Sequence, residues 1–451
     1  MPRNILFITA DQWRADCLSG LGHLVQTPNL DALAQDGVLF TNHFANSAPC
    51  GPSRASIHTG MRQHRHGVTA NGVPLKSRYT NWALEVRKLG YEPALFGYTD
   101  TTPEGADPAD AARNISDGVL PGLDTIVLHG KSIWRPTAWA AWLREAGYPV
   151  PDKAMELFTA TSDMNDDKRP APLRVPAELH DTRFLVDQTI EYIEQRSQWC
   201  VHLSIFRPHP PWVAPAPYHA LYPPDDLPPF NRSPSAEAEG RLHPWLAHAL
   251  EQKFGPAPND EAVVRRWQAS YFGLITEVDH NLGRLFDAMK AVGAWQDTLI
   301  VFTSDHGEQM GDHWLIGKLG FFDESYAVPL IIRNPDEAAA RGARVDAFTE
   351  SIDLMPTLLD WLGAPVPGQQ CDGASLLPAT LYGSLGDGWR ETASWEYHFA
   401  HAAQTLGLPP DQCRLHVTRG ADFKEVTFPG FPSLQFDLRE EPGERRATAV
   451  P

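Results

Sequence analysis

The string best equipped for chemistry in this chain is Cys50-Gly51-Pro52-Ser53-Arg54. Proline suits the first turn of a helix, where its missing N–H costs nothing, so Pro52 marks a helix start. Cys50 then lies at the helix N-terminus, where unpaired N–H groups favour an anion and stabilise a thiolate. Arg54 follows one turn later and can grip two oxygens of an oxyanion. Together they describe a nucleophile beside an anion-binding pocket. A non-catalytic alternative is a pocket that captures oxyanions while Cys50 stays a thiol.

The elements that must position this string are legible as short β-rich runs ending in polar clusters. Asn4–Thr9 runs into Asp11 and Gln12, and Ala94–Phe96 into Gly97-Tyr98-Thr99-Asp100. Cys200–Phe206 runs into Arg207-Pro208-His209, and Thr298–Thr303 into Ser304-Asp305-His306. Near-continuous apolar runs separated by helical patterns predict a parallel sheet covered on both faces. Ligands of such sheets sit beyond the carboxyl ends of the strands, where all four clusters fall. Thr27-Pro28 opens one helix, closed by Gly37; residues 262–292 and 351–362 carry helical spacing.

The fold class read here is therefore α/β. A large, mostly parallel central sheet is flanked by helices, with a smaller C-terminal α+β subdomain. The catalytic domain is expected over 1–370, with Pro-rich insertions near 101–181 and 212–260. Residues 371–451 form the smaller unit, with strand-like runs at 394–397, 414–418 and 425–428.

Composition narrows the function classes. With 42% hydrophobic and 21% charged residues, the 451-residue chain is neither disordered nor fibrous. Its 38 Lys+Arg against 56 Asp+Glu give −18, which argues against nucleic-acid and anionic-membrane partners. Five widely spaced cysteines make a poor disulfide framework. No signal-peptide pattern or apolar span is evident, so a cytoplasmic protein is expected. The Asn114-Ile115-Ser116 glycosylation pattern is then a chance match.

Cys50-x-Pro52-x-Arg54 followed by Ala55-Ser56-x-x-Thr59-Gly60 resembles the signature of type I sulfatases, within the alkaline phosphatase superfamily. The resemblance covers most of the chain. It includes Asp11-Gln12, Thr27 to Asp31, His66-Gly67-Val68, Arg207 to Pro211, Thr303 to Glu308, Gly317-Lys318 and Val328 to Arg333. Membership implies that Cys50 is oxidised to formylglycine by a formylglycine-generating or sulfatase-maturing enzyme. One hydroxyl of the hydrated aldehyde attacks sulfur or phosphorus; deprotonation of the other expels the product.

The resemblance also implies a metal site formed by Asp11, Asp305 and His306, completed by the Cys50-derived oxygen. One divalent ion is expected. Calcium prefers all-oxygen shells, and an imidazole suits a softer ion, so Mn²⁺ is favoured over Ca²⁺. His209 and Lys318 resemble the leaving-group side of the pocket, as proton donor and neutralising cation. Asn71 resembles a substrate-oxygen donor, and Gln12 stands where many sulfatases carry a second Asp. Tyr98, in place of the more usual Lys, resembles the phosphonate monoester hydrolases and their dimeric arylsulfatase relatives. A homo-oligomer is therefore expected. Asp100 departs from that branch, which usually has Thr; a carboxylate beside an anionic ester is costly unless protonated, paired or turned away.

The expected activity is cleavage of small-molecule sulfate monoesters, of arylsulfatase type, with phosphonate monoesters and phosphate diesters shared. The alternative makes the phosphonate or diester activity principal. A two-metal phosphatase is the mechanistic rival, but it places Ser or Thr at the nucleophile.

Overall fold

The computed structural model describes residues 3–105, 118–130, 137–162, 170–253 and 255–450. The Asn114 pattern and part of the 101–181 insertion lie outside them. Eight strands form the central sheet: β1 (Asn4–Asp11), β2 (Val38–Phe40), β3 (Pro93–Gly97), β4 (Asp124–Leu128), β5 (Cys200–Pro208), β6 (Thr298–Ser304), β7 (Leu330–Arg333) and β8 (Ala343–Val345). Their order is β8-β2-β7-β6-β1-β5-β3-β4. The pairings are parallel except those of β7, which runs antiparallel to β6 and β2.

Alternation along the central strands feeds two cores, because successive side chains point to opposite faces. Leu6, Ile8 and Ala10 of β1 join Ile300 and Phe302 on one face, packed by α1 (Pro28–Gln35), α3 (Asp181–Glu194) and α4 (Glu261–Ala291). Ile5 and Phe7 join Leu299 and Val301 on the other, packed by α2 (Cys50–Thr59) and α5 (Leu354–Trp361). Both faces are dry, which is why these runs are continuously apolar.

Several boundaries differ from expectation for physical reasons. Helix α2 opens at Cys50, with Pro49 as its N-cap, so Pro52 is its third residue. Ser53 N–H closes the first turn on the Pro49 carbonyl; the N–H groups before it need no intrahelical acceptor, so Pro52 is tolerated there. Thr27 precedes α1, but its side chain makes no capping bond. Asp279 of α4 instead accepts from the N–H groups of Asn29 and Leu30, at 3.2 and 2.8 Å. Residues 351–362 divide into a 3₁₀ turn, Ser351–Asp353, and α5.

A second sheet is an antiparallel meander of β9 (Ala393–His398), β10 (Arg414–Arg419), β11 (Phe423–Phe428), β12 (Phe431–Asp437) and β13 (Thr448–Val450). Trp395, Tyr397, Val417, Val426 and Phe436 turn inward onto Trp245, Phe321, Phe322 and Tyr326. None of the five cysteines is disulfide-bonded. Among the described residues, no helix is long and apolar enough to cross a membrane.

Candidate active site

Strand geometry brings distant residues to one edge. β1 ends in Asp11, and β6 beside it runs into Asp305 and His306. On the other side of β1, Asp11 pairs with Pro208 of β5, one residue before His209. β3 ends at Gly97, where an added Cβ would lie 1.9 Å from the Ser204 carbonyl oxygen. Glycine is thus required there, and Tyr98 follows directly into the site. Helix α2, buried on every side, points its N-terminal Cys50 at the same edge.

One carboxylate oxygen each from Asp11 and Asp305, one nitrogen of His306 and Sγ of Cys50 all lie within 4.8 Å of one another. His306 Nε2 is 3.2 Å from Cys50 Sγ and 3.7 Å from both Asp11 Oδ1 and Asp305 Oδ2. Ligand atoms about 2.0–2.6 Å from a common ion stand at roughly such separations. His306 Nδ1 donates to the Gly307 carbonyl at 3.0 Å, leaving the Nε2 lone pair toward the group. Burial pushes the imidazole below its ordinary value, partly countered by Asp305, so the ring is neutral near pH 7. Two buried carboxylates, a neutral imidazole and the residue-50 atom are a donor set that fits a divalent cation. Among the described residues, no other carboxylate or imidazole joins this group.

Arg54 departs from its expected role. All five of its N–H donors are engaged inside the protein. Nε donates to Asp305 Oδ2 at 2.9 Å, and Nη1 to Ser204 Oγ at 2.8 Å and the Tyr98 carbonyl at 3.3 Å. Nη2 donates to Asp11 Oδ2 at 3.3 Å and Tyr98 Oη at 3.2 Å. With 1% exposure it cannot fork an incoming oxyanion; it binds together the two carboxylates of the metal group. Tyr98 is likewise turned to Asp11: its hydroxyl donates to Asp11 Oδ2, and Arg54 lies over its ring at 4.3 Å. Burial drives the phenol well above its ordinary value, so it stays a neutral donor.

Gln12, in a left-handed backbone conformation (φ 71°), joins the metal group to Lys318. Its N–H donates to Asp305 Oδ1 at 3.1 Å. Its side-chain oxygen accepts from Lys318 Nζ at 2.5 Å, and its amide nitrogen donates to Glu308. Glu308 also accepts from the N–H groups of Met310 and Gly317, at 2.8 and 2.6 Å. Glu308 lies three residues beyond Asp305 in the same motif, and its spacing alone assigns it no role. Burial raises its carboxyl above the ordinary range.

Asn71 and Asp100 both lie against the first turn of α2. Asn71 Oδ1 accepts from Gly51 N–H at 2.8 Å. A Cβ at Gly51 would sit 3.0 Å from that oxygen and 3.5 Å from the Asp100 carbonyl, so glycine permits the approach. Asp100 is buried, with φ 48°. His209 is half-buried; its Nδ1 donates to the Pro210 carbonyl at 2.7 Å, and its ring packs on Phe206 at 4.6 Å. Phe206 in turn meets the Tyr98 ring edge-on at 6.1 Å.

The sulfatase family model matches residues 3–364, and that of the N-sulphoglucosamine sulphohydrolase C-terminal region matches 311–445. The chain is 36% identical over 471 residues to the multifunctional alkaline phosphatase superfamily protein PehA of Trinickia caryophylli, covering 98% of this chain and 90% of that one. It is 30% identical to an arylsulfatase of Clostridium perfringens, covering 98% and 89%. The crystal structure of the phosphonate monoester hydrolase of Agrobacterium radiobacter superposes with a TM-score of 0.92 at 43% identity, covering 99% and 91%.

Proposed function

This chain belongs to the sulfatase family of hydrolases, and we propose that its principal substrates are phosphonate monoesters and phosphate diesters, with sulfate monoesters second. This reverses the order expected from the sequence. The motifs that favoured sulfate report the nucleophile and metal, which both activities share. The observation that carries the new order is Tyr98. A neutral phenol holds Asp11 from the position where many sulfatases carry a lysine. His306 as an imidazole donor, and the likeness to a phosphonate monoester hydrolase and to PehA, support the same reading.

Asp11, Asp305 and His306 would hold one divalent ion, for which Mn²⁺ is favoured over Ca²⁺, and that ion supplies Lewis acidity where the ester is attacked. Cys50, converted to formylglycine by a maturing enzyme, supplies a hydroxyl nucleophile and a route for releasing the product. The protein's own groups do the rest. Arg54 and Tyr98 fix the two carboxylates. His209, whose Nδ1 proton is committed to Pro210, delivers a proton from Nε2 to the departing oxygen. Lys318, steadied by Gln12, neutralises charge developing there. Asn71 flanks the nucleophile and orients the ester; Asp100 beside it limits which substituents fit.

The test is a kcat/KM panel of matched aryl phosphonate monoester, phosphate diester and sulfate monoester. Residue 50 should first be assayed for aldehyde by peptide mass spectrometry. The expected result is a preference of about tenfold or more for a phosphorus ester. A sulfate preference would reverse the assignment. Two tightly bound ions per chain, or only thiol at residue 50 in active enzyme, would remove the mechanism.

A further inference from the structure

The residue two before His209 is a buried arginine bonded to the turn that carries the imidazole. Arg207 is 1% exposed, at the end of β5. Its guanidinium faces Asp181, the first residue of α3: Nε donates to Oδ1 at 3.3 Å, and Nη2 lies 3.1 Å from Oδ2. The remaining nitrogen, Nη1, donates to two carbonyls of the turn that bears the imidazole, those of His209 and Pro211, both at 3.2 Å. Phe158 and Phe206 flank the guanidinium at 4.9 and 5.1 Å. Phe206 also carries the His209 ring, so one side chain locks both the backbone and the packing surface of that histidine.

Asp181 is itself bonded to His129 and to the Thr182 N–H, with His180 close beside it. His129 Nε2 is 3.4 Å from Oδ2, and His180 Nε2 is 3.2 Å from Oδ1. Its own helix contributes the Thr182 N–H at 3.0 Å. Behind His180, Nδ1 lies 3.0 Å from Glu277 Oε1, on the fully buried middle of α4. Hydrogen bonds thus link Asp181 through Arg207 to the His209 turn, and close charged contacts extend from Asp181 through His180 to α4. Arg207 touches none of the metal-group residues in any of these bonds. Packing alone does not require this construction, since burying an arginine–carboxylate pair gains little over apolar residues of the same size. A planar fork serving a carboxylate on one edge and two carbonyls on the other does give fixed geometry.

We propose that Arg207, oriented by Asp181, is the positioning residue for His209, setting where its imidazole stands relative to the departing oxygen. The inference rests on the leaving-group role of His209 given above. Lysine at 207 keeps the charge opposite Asp181 but cannot span both carbonyls and the carboxylate.

The experiment measures kcat/KM for Arg207→Lys, His209→Ala and the double variant across a series of aryl esters of graded leaving-group pKa. Arg207→Lys should lose roughly 10- to 100-fold on the poorest leaving group and under about threefold on the best. The double variant should be no worse than His209→Ala alone. Multiplicative losses in the double variant, or a uniform loss across the series for Arg207→Lys beside a graded one for His209→Ala, would overturn the proposal. Should His209→Ala itself lose activity uniformly, the leaving-group role falls. Positioning then stands on a less-than-multiplicative double variant and falls on a multiplicative one. If Arg207→Lys does not fold, Asp181→Asn gives the same readings with the arginine retained.

Discussion

The two sides of the site are built by different means. On the side proposed to hold the nucleophile, Asp11, Cys50, Arg54, Asp305 and His306 are no more than 1% exposed, on strand ends or a buried helix. Asp11 and Asp305 are both tied to Arg54, and Asp305 also to backbone N–H groups. On the side proposed to face the leaving group, His209 and Lys318 are half-buried and sit on connecting segments. They are held through intermediaries: Arg207 and Asp181 for one, Gln12 and Glu308 for the other. The difference suits the role proposed for each side. Attack demands fixed geometry, because displacement by about 1 Å can cost on the order of 100-fold. The departing group must enter and leave, so its side stays open and borrows rigidity from behind.

The largest test breaks the nucleophile side outright. Cys50→Ala should lower kcat by about 10⁴-fold or more while leaving the thermal melt and circular dichroism unchanged. Comparable turnover would show that residue 50 is not the nucleophile. Arg54→Met comes next. It leaves Asp11 and Asp305 buried without their shared cation, and the chelator-treated protein should lose about 3–5 kcal/mol in urea unfolding. A loss under about 1 kcal/mol would mean the pair is compensated elsewhere. The smallest effect sharpens the comparison. Tyr98→Phe should weaken metal affinity by about 10- to 100-fold in a chelator competition, with a smaller change in KM at saturating metal. An unchanged affinity with a raised KM would move Tyr98 to the substrate side.

The large elements were legible because their signals are local. Four apolar runs with polar ends became the central strands β1, β3, β5 and β6, and residues 262–292 became α4, Glu261–Ala291. β2 and β8 escaped notice because three residues carry no periodicity. β4 lies at the sheet edge with most of its side chains exposed, so it lacks the apolar run of a central strand. β12 has only two fully buried side chains, Leu434 and Phe436, and β13 is three residues long, so neither carries a clear strand period.

By itself the sequence determined which residue types gather at one edge, since Asp11, Tyr98, His209 and Asp305 each follow a strand of a parallel sheet. It also determined that Cys50 lies at a helix N-terminus with an arginine one turn on, though the helix opens at Cys50 rather than at Pro52. Tertiary structure decided what those side chains face. The spacing of Arg54 suits it to grip an oxyanion, but the fold turns it to Asp11 and Asp305 instead. Tyr98 turned to Asp11, Asp279 capped a helix that Thr27 was expected to cap, and Asp181 reached Arg207 across 26 residues. A guanidinium or a phenol takes whichever partners the fold puts within about 3 Å of it, and that distance depends on strand order and helix placement far along the chain.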